Sequence, residues 1–137
     1  MKTSFLPDFT MGENALLEIE KFVPKHSKIA IFYGQKAYDE AKQYTDKILN
    51  TENYEILAEQ CYGKDANYAN VNKILQVKGI QSCDALFAIG GGKCIDTVKC
   101  AGNILNIPVY TVPTIASTCA AVTKISIMYD LNGTFLE

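Results

Sequence analysis

Between Asp84 and Lys99 an apolar run, Ala85-Leu86-Phe87-Ala88-Ile89, meets three consecutive glycines and a lysine and then turns helical. Gly90, Gly91 and Gly92 let the backbone adopt conformations closed to other residues, and they let a ligand approach without a Cβ in its way. The amides that open the following helix face such a ligand with the positive end of the helix dipole behind them, which suits a phosphate. The junction matches neither common phosphate fingerprint. A Gly-x-Gly-x-x-Gly turn starting at Gly90 needs glycine where Ile95 stands, and a P-loop needs a longer spacer and a Ser or Thr in place of Cys94. Taken alone, it is either a phosphate or pyrophosphate cradle or a tight strand-to-helix turn without a ligand.

A second segment carries small hydroxyl groups: Val112-Pro113-Thr114-Ile115-Ala116-Ser117-Thr118-Cys119-Ala120-Ala121-Val122-Thr123. Such side chains reach phosphate oxygens or a carboxamide and leave room for a flat ring. The plainer reading is a Ser/Thr-rich loop or helix cap. What distinguishes the readings is position, because the segment follows the next strand and so opens on the same sheet edge as the glycines.

These residues need a scaffold, and the chain reads as strands alternating with helices. Strands are predicted over 28–33, 54–59, 84–89 and 109–112, with helices over about 36–49, 70–78 and 93–105 and a loop at Tyr62-Gly63-Lys64-Asp65. Val71, Ile74 and Leu75, and then Ile95, Val98, Ala101, Gly102 and Leu105, recur at helical spacing. The alternation predicts an α/β fold, a mostly parallel sheet with helices on both faces. Ligands of such sheets bind beyond the carboxyl ends of the strands, where Gly34, the three glycines and Pro113-Thr114 fall. Ile125 to Asp130 alternates like a strand, and Asn132-Gly133 is a strong hairpin signal. Only Thr134 to Glu137 follow it, so a hairpin cut short, and a piece of a longer protein, is the expectation.

A chain of 137 residues with 48% hydrophobic content and a net charge of -2 is an ordinary globular domain with no basic excess to attract nucleic acid. No apolar stretch reaches the ~20 residues that cross a bilayer, and the N-terminus lacks a signal-peptide core, so a cytoplasmic protein without membrane partners is expected. The five cysteines, Cys61, Cys83, Cys94, Cys100 and Cys119, form no Cys-x-x-Cys pair. They are expected to be reduced and mostly packed as small hydrophobes.

Together, Gly90-Gly91-Gly92-Lys93-Cys94-Ile95-Asp96-Thr97-Val98-Lys99 and Val112-Pro113-Thr114-Ile115-Ala116-Ser117-Thr118-Cys119-Ala120 resemble the N-terminal, cofactor-binding half of the iron-containing alcohol dehydrogenase and glycerol dehydrogenase superfamily. The resemblance runs from Met11-Gly12-Glu13-Asn14-Ala15-Leu16 to the Tyr129–Phe135 hairpin and implies a Rossmann-like domain over 1–137, with a helical metal-binding domain absent. It implies NAD or NADP as cofactor, its pyrophosphate at Gly91, Gly92, Lys93, Cys94, Ile95 and Asp96, and its nicotinamide side near Thr114, Ser117, Thr123, Ile125 and Tyr129. Glycerol dehydrogenases carry an Asp for the polyol where this chain has Cys119, which a thiol cannot replace. Tyr33-Gly34-Gln35-Lys36-Ala37 and Thr118-Cys119-Ala120-Ala121 are more similar to the hydroxycarboxylate branch, which reduces 2-oxo acids.

The family's divalent metal, iron or zinc, is held by one Asp and several His, and this chain has one histidine, His26. His26 reads as a surface loop residue, so metal ligands and catalytic residues are expected outside this chain. The implied function is the cofactor-binding part of a metal-dependent dehydrogenase of a small 2-hydroxy acid or alcohol. Glycerol dehydrogenase and a non-catalytic nucleotide-binding module are the alternatives. An apolar face without its partner half, and an open strand edge, predict self-association as a homo-oligomer. Gly34 stands where NAD-selective members place an Asp against the adenosine ribose, with Lys36 nearby, so NADP is expected to be accepted. Dissociation constants for NAD and NADP check this: similar values, or tighter NADP, are expected, and a strong NAD preference contradicts it.

Overall fold

The computed structural model describes residues 3–5, 9–10, 13–63, 65–113, 124–125 and 128–130. Its centre is a sheet of four parallel strands: β3 (Lys28–Tyr33), β4 (Glu55–Cys61), β5 (Ala85–Gly90) and β6 (Val109–Pro113), in the order β4-β3-β5-β6. Short unbroken apolar runs such as Ile29 to Phe32 and Ala85 to Ile89 suit strands covered on both faces. Between the strands run α2 (Gln35–Thr45), α3 (Tyr68–Leu75), a 3-10 turn at Ile80–Ser82, and α4 (Gly92–Leu105). Before them come β1 (Thr3–Phe5), β2 (Phe9–Thr10) and α1 (Glu13–Phe22), and after them β7 (Lys124–Ile125) and β8 (Met128–Asp130).

Strand alternation divides the core in two. On one face Ile29, Ile31, Phe87, Ile89, Tyr110 and Val112 pack with Ile19 and Val23, contributed by α1 and its end, and with Tyr38 and Ala41 of α2. On the other, Ala30, Phe32, Leu86 and Ala88 pack with Val71 and Ile74 of α3 and Val98 and Ala101 of α4. At three of the five register pairs across the central seam large meets small: Ile29 lies opposite Ala85, Ala30 opposite Leu86 and Phe32 opposite Ala88, while Ile31 faces Phe87 and Tyr33 faces Ile89. Each fully buried Phe or Ile contributes about 1.5–3 kcal/mol. Helices therefore cover both faces, as the alternation of elements predicts.

Boundaries shift where side chains intervene. The helix expected over 36–49 stops at Thr45, because the Asn50 side-chain amide donates to the Asp46 carbonyl at 2.8 Å and ends the helical ladder. The helix expected from residue 70 begins at Tyr68, since the Asn67 side chain caps it by accepting from the Asn70 amide. β4 runs on to Cys61, two residues past its expected end. In the segment 125–130, expected to be a strand, the described residues are extended, in β7 and β8. β7 pairs antiparallel with β2, and β8 with β1. Sequence reasoning missed α1, although Leu16, Ile19 and Val23 recur at helical spacing on its core side. The Asn132-Gly133 turn and the strand after it lie outside the described residues.

Close packing of α4 on β6 depends on Gly102. A Cβ there would stand 2.3 Å from Val109 Cγ2 and 2.9 Å from the Ile107 carbonyl oxygen. Alanine recovers about 1 kcal/mol of helix propensity, but overpacking costs about 1–3 kcal/mol, and the Ile107 carbonyl cannot yield as a side-chain end would. Gly102→Ala is expected to lower stability by about 1–2 kcal/mol. Urea denaturation measures this, and a more stable variant would contradict the packing argument.

Candidate functional site

The order β4-β3-β5-β6 means that the chain moves outward from β3 to β4, then returns past β3 to β5 and β6. Right-handed crossovers then place α2 on one face and α3 and α4 on the other, as the two cores show. The helices that follow β3 and β5 thus leave in opposite directions and open a crevice at the carboxyl ends of these adjacent strands. That is the position where open α/β sheets bind ligands. Gly34 and the glycine turn occupy its two sides, tied by the Gly34 amide donating to the Ile89 carbonyl at 3.0 Å.

The three glycines have different physical jobs. Gly90 is buried, with φ +157°, and a Cβ on it would meet Cys94 Cβ at 3.0 Å and Sγ at 3.2 Å, so the fold itself requires glycine. Gly91 and Gly92 are exposed, and a Cβ on either would meet nothing within 4 Å. Packing does not demand them, and the space above them is open to a ligand. Gly91 is the N-cap of α4 and offers no side chain to the first-turn amides, whereas Asn67 caps α3 with its own. An incoming anion can take that vacant role.

Around the turn, Lys93 and Asp96 are exposed and Ile95 is half-buried, while the Cys94 side chain points into the core. Cys94 Sγ lies 3.5 Å from the Ile89 carbonyl oxygen and 3.7 Å from that of Phe32, so Cys94 offers the crevice only its backbone. The Thr97 hydroxyl donates to the Lys93 carbonyl at 2.7 Å and steadies the first turn. Gly34 would place a Cβ 3.8 Å from the ring of Tyr62, which makes the buried Tyr62 the floor of this side. Lys36, at the start of α2, is exposed.

Of the other predicted site residues, Ile125 is in β7 opposite Phe9 and Tyr129 is in β8 opposite Ser4, and both strands lie along β6. Thr114, Ser117, Cys119 and Thr123 lie outside the described residues. Sequence reasoning missed Asp65, whose carboxylate is 3.3 Å from Lys93 Nζ. The signal was available, since the loop after β4 ends on the same sheet edge as the glycines. His26 is exposed at the amino end of the sheet, beside an open cavity of about 440 Å³ lined also by Thr51, Tyr54, Glu55 and Ile56. Among the described residues no group of three His, Cys, Asp or Glu side chains is arranged to hold a metal.

Comparison with known proteins gives this arrangement a context. The family model for iron-containing alcohol dehydrogenase matches residues 7–135. A glycerol dehydrogenase of Citrobacter freundii is 33% identical over 76 residues, covering 56% of this chain and 21% of that protein. Hydroxycarboxylate dehydrogenase A of Escherichia coli K12 is 43% identical over 52 residues, 38% of this chain and 14% of that one. The crystal structure of glycerol dehydrogenase from Schizosaccharomyces pombe superposes with a TM-score of 0.57 at 18% identity, over 72% of this chain and 25% of that one. The matched regions thus span a quarter or less of the length of these relatives.

The buried thiols are held neutral. Burial, the main cause, pushes Cys94 up to about 12 and Cys83 up to about 11, and it raises Cys100 as well. Cys83, Cys94 and Cys100 pack as the sequence predicts, whereas Cys61 is exposed. In the unfolded chain such thiols ionise from about pH 8.5 upward. Their contribution to stability is complete below that value and is lost as the pH rises towards the folded values. In a Cys119→Ser background, a thiol reagent at pH 8 is expected to label Cys61 and spare the other three, and urea stability is expected to fall between about pH 9 and 11. Rapid labelling of Cys94 would contradict its burial.

Proposed function

The chain belongs to the iron-containing alcohol dehydrogenase family, and from that premise we propose that it is the cofactor-binding part of an NAD(P)-linked oxidoreductase. The reaction is the interconversion of a small 2-hydroxy acid or alcohol with its carbonyl form. The observation that carries this reading is the glycine turn at the crevice between β3 and β5, where Gly91 and Gly92 face open space that packing does not need. A pyrophosphate fits there, received by the uncapped amides at the start of α4 and by Lys93, with Cys94, Ile95 and Asp96 contributing backbone. Gly34 leaves room for the adenosine ribose, and with Lys36 it admits a 2′-phosphate. Thr114, Ser117, Thr123, Ile125 and Tyr129 are assigned to the nicotinamide side.

When bound, the dinucleotide carries the hydride, and the protein's part is to orient it. The described residues do not fit the family's metal, and its donors would come from the length of the relatives that this chain does not match. Cys119, in place of a polyol-binding Asp, favours a 2-oxo acid over glycerol, because a carboxylate at that position would repel the substrate's own. The names of the relatives support glycerol dehydrogenase as the second reading. The four free cysteines among the described residues suit a reducing compartment, the cytoplasm.

The test is an assay of the full-length enzyme for NADPH and NADH oxidation with 2-oxo acids, dihydroxyacetone and simple aldehydes, with Zn(II) or Fe(II) added. Turnover of 2-oxo acids is expected, and activity on dihydroxyacetone alone would overturn the hydroxycarboxylate reading. Gly92→Val fills the open space without touching the core. It is expected to weaken nucleotide binding by about ten-fold or more with little change in melting temperature. Unchanged binding would remove the glycine turn from the site.

A further inference from the structure

The loop after β4 is built to deliver one carboxylate to the glycine turn. Gly63, with φ +120°, passes so close to the buried Asn70 that a Cβ on it would stand 2.5 Å from that side chain's Cγ and Oδ1. The Asn70 side-chain amide donates to the Asp65 main-chain carbonyl, and the Asn70 backbone amide donates to the Asn67 side-chain oxygen at 2.9 Å. The backbone of Asp65 is thus anchored from α3, independently of its side chain. Its carboxylate lies 3.3 Å from Lys93 Nζ, at the mouth of the crevice, with both side chains about two-thirds exposed.

We propose that Asp65 is an internal competitor for the anion site, a carboxylate that occupies Lys93 while the crevice is empty and opposes the arriving pyrophosphate. The inference rests on the reading of the glycine turn as a dinucleotide site. An exposed ion pair of this kind is weak and screened by salt. A pyrophosphate brings more charge and gains the α4 amides as well, so it displaces the carboxylate. The carboxylate then remains beside the bound phosphates, because the anchored backbone keeps it there. Asp65 lowers nucleotide affinity and lets Lys93 be neutralised without a ligand.

The test is calorimetric titration of the full chain with ADP and with NAD, for the wild type, Asp65→Asn, Lys93→Gln and the double variant, with thermal melts to verify folding. Asp65→Asn keeps the Asp65 main-chain contact with Asn70 and is expected to tighten ADP about three- to five-fold. In the Lys93→Gln background the same change is expected to give less than about two-fold, since the competition acts through the ammonium. Unchanged or weaker binding by Asp65→Asn would overturn the proposal, the latter showing that Asp65 positions Lys93. Equal tightening in both backgrounds would overturn it in favour of general repulsion. If the wild type binds neither ADP nor NAD, the dinucleotide reading itself fails, an outcome distinct from binding that is indifferent to residue 65.

Discussion

The carboxyl edge of the sheet depends on how closely the first turn of α4 can approach the seam between β3 and β5. Gly90 sets that distance. Because it has no Cβ, Cys94 can fold back beneath the turn and rest against the carbonyls of Phe32 and Ile89. The Gly34 amide, bound to the Ile89 carbonyl, draws the end of the neighbouring strand to the same point. With a larger residue at 90 the helix would ride outward, and its opening amides would no longer face the crevice. The two glycines that follow are then at liberty to serve a ligand, because the structural demand has already been met one residue earlier.

Much of this was legible in the sequence, and the limits have physical causes. The parallel strands announce themselves as apolar runs because both faces are covered, and α4 shows its inward stripe at Val98, Ala101 and Gly102. Composition and spacing also located the glycine turn, but they treated its three residues alike. Only tertiary neighbours separate Gly90, which is pressed against Cys94, from Gly91 and Gly92, which touch nothing. Asp65 escaped notice for a related reason. A parallel sheet places the loop after β4 on the edge of the glycines, but which side chain of that edge Asp65 meets is set by the order of strands and not by adjacency in the chain.

Charge and burial are divided along α4. Residues that hold the turn in place, Cys94 and Thr97, are buried and neutral, and they bond to backbone carbonyls. Residues able to meet an ion, Lys93 and Asp96, are on the solvent side of the same turn. A ligand can therefore exchange counterions at the mouth without disturbing the packing beneath it.

The first and last described strands pair with each other. Thr3 to Phe5 lies antiparallel to Met128–Asp130, and Phe9–Thr10 to Lys124–Ile125, while everything between them is assembled from successive strand-helix-strand units. During synthesis β1 and β2 emerge with nothing to pair with and must wait until β7 and β8 have left the ribosome. The parallel sheet can form in the meantime, because its contacts join neighbouring units whose loops close at modest entropic cost. The pairing of β1 with β8 and of β2 with β7 is then a latch closed along β6 after the parallel sheet has formed.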